Sequence, residues 1–434
     1  MRPKFGVRAD PVNDPACAAP LQACFIVSCD ESVRRYHSTV TSLSMPTPAA
    51  RSRATSWLLF VCLAGAVGTS CSVASKAPES TAGRRNATAD VRSTAEELGS
   101  TRNSKVAIER SAGAPPLPVF VPAGAQDRLG DTTGLGPGVR VVIGLSREEA
   151  LSRAEEAHGI DAFYARPEFV AAAKNLAWVH TTSAGVEQLL IQLGAESDRI
   201  VVTNSRAVHG PAIADHVFAM LLSLTRNLPT YLEAQKTGQW VRDESVGLPR
   251  VALQGRTLLV VGLGGIGTEI ARRGAGFGMR VIGTRRSDDP APAFVERVGK
   301  PNELLAMLPE ADVIALAVPL TPETEYMING AAFAAMKPGS YLINIARGKV
   351  VETGPMLEAL RSGRLAGAGL DVTDPEPLPS DHPLWKQANV IITPHMASRG
   401  ELTVERGAAL YRENLRRFAA GEPLLNVVDR AAGY

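Results

Sequence analysis

The chain has 434 residues, which is long enough for two domains that each bury their own core. Lysine and arginine total 46 against 44 aspartate and glutamate, so the formal net charge of +2 gives no support for a nucleic-acid partner. The five cysteines lie at positions 17 to 71, so the rest of the chain has no disulfide, thiol nucleophile or cysteine metal site. We therefore expect a small-molecule site without a metal.

A signal-like segment lies at residues 45–71. Its apolar run, 57–67, carries no charge, and small residues ending at Cys71 follow it. With arginines ahead of the run, the pattern predicts a secretory signal, and the residues before Cys71 resemble a lipoprotein processing site at which that cysteine is lipidated. We expect export or membrane attachment through Cys71.

A signal belongs at the start of a chain, so Met45 is the expected first residue and 1–44 an upstream extension that need not be translated. Two alternatives stay open. One is a single membrane anchor, since 22 uncharged residues can just span a bilayer. The other is a cytoplasmic protein whose N-terminal region is a start-site artefact. Residues 72–116 are rich in Ser, Thr, Ala and Arg without apolar periodicity, which predicts a disordered tether.

From residue 117 onward the predicted strands and helices alternate, which is typical of an α/β domain. Strands are predicted at 119–121, 139–143, 162–164, 176–180 and 200–203, and helices at 147–158, 186–193 and 211–239. A second α/β unit begins at Thr257.

The second unit opens with a glycine-rich loop. The apolar strand 258–261 runs directly into Gly262-Leu-Gly-Gly-Ile-Gly267, and a predicted helix, 268–276, follows. Gly262 permits the tight turn, Gly264 lets the backbone approach a pyrophosphate, and Gly267 lets helix and strand pack closely. With Gly265 and Ile266 between them, these residues predict a dinucleotide site whose phosphates face the helix N-terminus.

The next strand, 280–283, ends at a position that normally carries an acidic residue for the ribose 2′-hydroxyl. This chain has Thr284 followed by Arg285, Arg286 and Ser287. Arginines suit a 2′-phosphate, so NADP is favoured over NAD. The alternative is that both arginines are a solvated pair beside an adenine site that accepts either cofactor.

Polar motifs follow the later apolar strands, at the carboxyl edge where open α/β sheets bind ligands. They contain Pro319 and Thr324, then Arg347, then Asp371 and Glu376, and finally His395. Reduction of a 2-oxo acid needs a cation to hold the substrate and a proton donor for the developing alkoxide. Arg347 suits the first task. His395 suits the second, with Glu376 to fix its tautomer. Spacing alone does not show that the three meet.

In this order after the glycine-rich loop, the motifs resemble the D-isomer-specific 2-hydroxyacid dehydrogenase family, from roughly residue 176 to 428. The resemblance implies that Arg347 is the catalytic arginine, that His395 is the acid/base histidine and that Glu376 is its carboxylate partner. It implies that Asp371 lies near the nicotinamide carboxamide. It also implies that backbone amides of Ala184, Gly185 and Val186 hold the substrate carboxylate, and that Asp215 replaces a glutamate.

The resemblance further implies two Rossmann-like domains with parallel sheets, the cofactor domain being inserted into the substrate domain. The substrate domain would comprise 117–215 and the return segment 400–434, and the dinucleotide-binding domain would be 216–399. The implied reaction is hydride transfer between NADP(H) or NAD(H) and a 2-oxo acid/(2R)-hydroxy acid pair, such as glyoxylate or hydroxypyruvate reduction. Relatives are commonly homodimers.

Rival functions remain on the same motifs. A formate dehydrogenase is disfavoured because Glu376 stands where that branch has glutamine, whereas phosphonate oxidation stays open. A protein that senses NAD(P)H without turnover would also keep the cleft. We expect His180, His209, His216 and His382 to be structural or surface residues.

Overall fold

The computed structural model describes residues 115–430, apart from 126–128, 130–131 and 243–249. The signal-like segment 45–71 with Cys71, the extension 1–44 and almost all of the predicted tether lie outside the described residues. Within the described ranges, no helix is long and apolar enough to cross a membrane. The same part of the chain holds no cluster of three or more His, Cys, Asp or Glu side chains suited to a metal ion.

The first sheet has five parallel strands in the order β2-β1-β3-β4-β5. Its strands are β1 (Leu117–Val121), β2 (Val139–Ile143), β3 (Gly159–Asp161), β4 (Trp178–His180) and β5 (Val201–Thr203), and its helices are α1 (Arg147–Ser152), α2 (Pro167–Ala172) and α3 (Glu187–Leu193). Ser146 begins α1 with a capping box, because its hydroxyl accepts from the amide of Glu149 while the Glu149 carboxylate accepts from the amide of Ser146. Apolar side chains on both faces of this sheet are buried.

The second sheet has seven parallel strands in the order β12-β11-β10-β9-β6-β7-β8. Its strands are β6 (Thr257–Val261), β7 (Arg280–Thr284), β8 (Arg297–Gly299), β9 (Val313–Leu316), β10 (Ser340–Asn344), β11 (Leu365–Leu370) and β12 (Val390–Ile392). Four of the helices around it follow β6 in the chain, namely α6 (Gly265–Gly276), α7 (Leu304–Met307), α8 (Gly330–Ala335) and α9 (Thr353–Arg361). The order reverses between β6 and β9, so the glycine-rich loop after β6 lies at the point where ligands of such sheets bind.

The predicted continuous helix 211–239 is wrong, because the structure has two helices there. They are α4 (Gly210–Thr225) and α5 (Leu228–Lys236). Asn227 lies between them in the left-handed conformation with φ 55°, and Pro229 follows in the first turn of α5. Pro229 has no backbone N–H to donate to the carbonyl of Thr225, four residues earlier, so the first helix does not continue through it. α4 packs closely on α6, whereas α5 has no buried residue.

The predicted strand at 162–164 is also wrong. Strand β3 ends at Asp161, and Ala162–Tyr164 forms a turn of 3₁₀ helix. The Asp161 carboxylate accepts a hydrogen bond from the amide of Phe163, at 2.9 Å, and so caps this turn. Aromatic residues are enriched in strands, which favoured the strand prediction, but Tyr164 is buried within a turn while Phe163 is 43% exposed.

The last helix, α10 (Glu401–Ala420), returns to the first sheet. The Trp178 ring lies 5.0 Å from that of Phe418 and 5.9 Å from that of Tyr411, between ring centroids. His180 stacks on Tyr411 at 4.1 Å and is fully buried. Burial lowers the pKa of His180 to about 3, so this histidine is neutral in the folded protein. The two Rossmann-like parallel sheets confirm the predicted fold class.

Candidate functional site

The glycine-rich loop forms one wall of a large cavity at the edge of the second sheet. Gly262 has φ +100°, and a Cβ there would lie 2.7 Å from the carbonyl oxygen of Ala317. A Cβ on Gly267 would lie only 2.0 Å from the carbonyl oxygen of Gly262, so this glycine lets α6 pack on β6. Gly264 differs, since a Cβ there would meet no atom within 4 Å. The space above Gly264 is therefore open to a ligand.

Helix α6 begins at Gly265 rather than at Thr268, three residues earlier than the sequence indicated. Its first amide groups, which have no partner within a helix, therefore belong to the glycine-rich loop itself. That position suits them to bind phosphate oxygens, with the helix dipole adding to the attraction.

The cavity has a volume of about 1010 Å³, near the upper end of the range for small-molecule sites. Eight of the predicted cofactor residues line it, namely Gly262, Gly264, Gly265, Arg285, Arg286, Ser287, Pro319 and Thr324. Ile266, Gly267 and Asp371 do not line it. Its open glycine wall and cationic end fit a nicotinamide dinucleotide.

Arg285, Arg286 and Ser287 stand at the end of β7, where the adenosine ribose of a dinucleotide would lie. The Nε atom of Arg285 is buried and has no hydrogen-bond partner among the described residues. The Ser287 hydroxyl donates to a carboxylate oxygen of Asp289 at 2.7 Å. Asp289 itself lines the cavity. The cavity wall thus offers both cations and two carboxylates, those of Asp289 and Glu323.

His395 and Glu376 form a hydrogen-bonded pair at the carboxyl edge of the same sheet. The distance from His395 Nδ1 to Glu376 Oε1 is 2.7 Å. His395 has φ +51°, and its amide donates to the carbonyl oxygen of Asp371 at 2.8 Å. Because Glu376 engages Nδ1, Nε2 is the nitrogen through which this ring can exchange a proton.

Asp371 supports the loop that carries His395. Its buried carboxylate accepts hydrogen bonds from the Thr393 hydroxyl at 2.6 Å and from the amides of Met396 and Ala397 at 2.9 and 3.0 Å. Three donors of this kind hold a carboxylate and the loop around it in one geometry. In the structure Asp371 therefore positions the segment on both sides of His395.

Arg347 follows β10 and reaches the loop that precedes α3. Its Nη1 atom donates to the carbonyl oxygen of Ala346 at 2.8 Å, and its Nη2 atom lies 3.5 Å from Glu187 Oε2. A Cβ on Gly185 would be 2.0 Å from Arg347 Nη2, so the guanidinium lies directly against Gly185, the middle residue of the predicted 184–186 loop. The structure thus brings the predicted substrate arginine and the predicted amide loop together. Among the described residues, no hydrogen bond joins Arg347 to the His395–Glu376 pair.

The remaining histidines hold the framework in place. His209 precedes α4, and its Nε2 atom bonds the carbonyl oxygen of Thr182 at 3.0 Å, beside the amide loop. Desolvation is the main cause that lowers the pKa of His209. His216 Nε2 bonds the Thr393 hydroxyl at 2.9 Å, and His382 caps a 3₁₀ turn. Asp215 pairs with Arg273 on α6 at 2.6 Å, outside the cavity wall.

Several residues at the site were not identified from the sequence, among them Arg206, Ala207 and Glu187. Arg206 and Ala207 line the cavity from the segment between β5 and α4, and Ala207 packs against Gly265. Glu187 lies beside Arg347. The sequence did offer one indication of a role for Glu187, because this residue directly follows the predicted amide loop. An acidic residue is also common at the start of a helix, so its presence there did not by itself point to the site.

Known proteins resemble this chain across the described ranges. Residues 218–397 match the family model described as D-isomer specific 2-hydroxyacid dehydrogenase, NAD binding domain. A glyoxylate reductase of Korarchaeum cryptofilum is 40% identical over 235 residues, which cover 53% of this chain and 70% of that protein. A solved D-isomer-specific 2-hydroxyacid dehydrogenase family protein of Aeromonas salmonicida is 36% identical with a TM-score of 0.63, covering 72% of this chain and 98% of its own.

A second solved structure is a D-isomer-specific 2-hydroxyacid dehydrogenase of Xanthobacter autotrophicus Py2 in complex with NADPH and MES. It is 33% identical with a TM-score of 0.63, covering 74% of this chain and all of its own. At the level of the family, these matches confirm nicotinamide-dependent oxidoreduction of 2-hydroxy acids as the expected class of activity. The chain belongs to the D-isomer-specific 2-hydroxyacid dehydrogenase family.

Proposed function

We propose that this chain is an NADPH-dependent reductase of small 2-oxo acids, such as glyoxylate or hydroxypyruvate, and that it yields the (2R)-hydroxy acid. The observation that carries the proposal is the 2.7 Å hydrogen bond between His395 and Glu376 at the sheet edge that also carries the dinucleotide cavity. A proton donor at that edge is what carbonyl reduction needs beyond a cofactor site. The relative named glyoxylate reductase supports the substrate class.

A nicotinamide cofactor held by the glycine-rich loop and the cavity wall would supply the hydride for the carbonyl carbon of the substrate. Arg347 binds the carboxylate and carbonyl oxygens through its planar fork, and the amides of the 184–186 loop complete the carboxylate site. His395 donates the proton from Nε2 to the oxygen that becomes a hydroxyl, while Glu376 on Nδ1 holds the ring and stabilises its charged form. Asp371 holds the loop that carries His395 in place by accepting a hydrogen bond from the amide of Met396.

The preference for NADP(H) rests on the cations at the end of β7. Arg285 and Arg286 line the cavity, and the buried Nε atom of Arg285, which has no hydrogen-bond partner in the part of the chain that the structure describes, suits an anionic ligand. The relative from Xanthobacter autotrophicus Py2 was solved in complex with NADPH, which supports this choice. The carboxylates of Asp289 and Glu323, which also line the cavity, favour NAD instead, since a carboxylate accepts ribose hydroxyls but repels a 2′-phosphate.

The cofactor preference is tested by comparing kcat/KM for NADPH and NADH in the wild type and in two variants. We expect Arg285→Ala to lower the NADPH/NADH ratio about tenfold, the scale of one charge-assisted contact. Asp289→Asn removes one of the opposing charges and should raise the ratio. An unchanged ratio in Arg285→Ala would show that the cation does not read the 2′-phosphate.

The activity is tested by measuring NADPH consumption by the full chain with glyoxylate, hydroxypyruvate, pyruvate and longer 2-oxo acids. We expect turnover of at least one of the small acids, with the (2R) product, and loss of turnover in His395→Asn. If NADPH binds but none of the acids is reduced, the reductase proposal fails and a cofactor-sensing role gains.

We also propose export or membrane attachment through the signal-like segment 45–71, on the strength of its uncharged run before Cys71. NADPH is expected in the cytoplasm, so the cellular location decides where the reductase meets its cofactor. Fractionation of cells after palmitate labelling, with Cys71→Ala as control, tests it. Unlabelled protein in the cytoplasmic fraction would contradict attachment.

A further inference from the structure

The carboxylate of Glu187 shares the predicted substrate-anion site with Arg347. Its Oε2 atom is 3.5 Å from Arg347 Nη2, and both groups crowd the same face of Gly185. A Cβ on Gly185 would be 2.7 Å from Glu187 Oε2 and 2.0 Å from Arg347 Nη2. Both side chains are about one-third exposed, so a solute can reach the pair.

Glu187 also has a purely structural role. It is the first residue of α3, where a negative charge interacts favourably with the helix dipole. That role explains an acidic side chain at this position. It does not require the carboxylate to turn toward Arg347, which comes from the other sheet 160 positions later.

We propose that Glu187 is a specificity-determining residue that occupies Arg347 until a substrate carboxylate displaces it. The inference rests on the proposed function, because it takes Arg347 and the 184–186 loop as the site of the substrate carboxylate. A 2-oxo acid with one carboxylate has to displace only this neighbouring anion. A 2-oxo acid with a second carboxylate or a phosphate brings another negative charge toward Glu187 and is disfavoured.

The size of the effect follows from charge alone. A like charge at roughly 6 Å, in the dielectric of a partly exposed site, changes affinity by about tenfold. Competition for Arg347 acts on the bound substrate and on its transition state alike, so it changes KM and leaves kcat nearly constant. Loss of a residue that only stabilised α3 would instead lower stability without distinguishing one anion from two.

The test compares Glu187→Gln with a matched control, Glu168→Gln, in the full chain with NADPH. Glu168 is exposed and lies in the first turn of α2, so the control makes the same change of charge at the same kind of helix position. For Glu187→Gln we expect the KM of glyoxylate to fall about threefold and that of the dianion oxaloacetate about tenfold, with kcat within twofold. Glu168→Gln and the charge-retaining Glu187→Asp should keep the wild-type ratio of the two KM values.

A calorimetric titration of oxalate into the NADP⁺-loaded protein provides a readout that does not need turnover. We expect oxalate to bind Glu187→Gln about tenfold more tightly than it binds the wild type. Equal KM changes for the monoanion and the dianion, or no difference in oxalate affinity, would overturn the role of Glu187. If no oxo acid is reduced while oxalate binding still depends on Glu187, the proposed reduction fails and the anion competition stands.

Discussion

Two glycines of the same loop are expected to respond differently to alanine, although both belong to the motif that predicted the dinucleotide site. Gly264 lines the cavity, its φ of −87° is open to any residue, and an added Cβ would meet nothing within 4 Å. We expect Gly264→Ala to change the free energy of unfolding by no more than about 0.5 kcal/mol. Its methyl group occupies space that the pyrophosphate needs.

Gly264→Ala should therefore weaken the binding of the cofactor without changing the stability of the apo protein. Overpacking by one methyl group costs about 1–3 kcal/mol, which corresponds to a Kd for NADPH raised by about 5- to 150-fold. In Gly267→Ala the new Cβ would lie 2.0 Å from the carbonyl oxygen of Gly262, well inside the 3.4 Å at which ordinary contact begins. The backbone of α6 or of β6 must then move by more than 1 Å, and we expect stability to fall by about 3 kcal/mol without any ligand.

Urea denaturation of the apo forms and fluorescence titration with NADPH separate the two effects. Gly264→Ala should unfold with the wild type and bind poorly, whereas Gly267→Ala should unfold at lower urea. The reasoning is refuted if Gly264→Ala loses as much stability as Gly267→Ala. It is equally refuted if Gly264→Ala binds NADPH like the wild type.

Three further predictions concern acid stability, the proton donor and assembly. Burial lowers the pKa of His180 to about 3, so between pH 6.5 and 3 the unfolded chain binds one more proton than the folded protein. The free energy of unfolding therefore decreases as the pH is lowered through this range, by up to about 5 kcal/mol. Urea titrations at several pH values should show a smaller decrease in His180→Phe, and an equal decrease would contradict this. Glu376→Gln should lower kcat about 100-fold with a smaller change in KM, as measured by steady-state kinetics, because His395 loses the anion on Nδ1; wild-type kcat would remove Glu376 from the mechanism. Trp240 is 91% exposed and Leu232 is 57% exposed, which suits a contact surface between two copies of the chain. If the expected homodimer uses this surface, Trp240→Ser should sediment as a monomer. An unchanged sedimentation coefficient would place the contact elsewhere.

Sequence reasoning located the cofactor loop because strand, turn and helix adjoin along the chain. It predicted Gly262, Gly264 and Gly267 with distinct tasks, and the structure gives each a different environment. It failed where a local pattern had two solutions. The helix break at Asn227 and the turn at Ala162–Tyr164 depend on backbone conformations that hydrophobic periodicity does not encode.

The site shows the same division. That Arg347, Glu376 and His395 have suitable chemistry followed from residue type and motif order. Only the folded structure shows that Glu376 contacts Nδ1 of His395 and that Asp371 accepts hydrogen bonds from the loop around His395. Nineteen positions separate Glu376 from His395, and nothing in that spacing requires a contact.

By itself the sequence determined the α/β class, the glycine-rich phosphate cradle and the identity of the charged groups, since strand–loop–helix patterns and side-chain chemistry are local properties. Only the tertiary structure decided which of these groups meet. Parallel strands bring their carboxyl ends to one edge of a sheet whatever their separation along the chain. The contact of Glu187, at the start of α3 beside the first sheet, with Arg347 after β10 of the second sheet goes further, because it joins residues of two different sheets. The open cavity above Gly264 is likewise a consequence of packing, because its walls come from segments that only the folded sheets bring together.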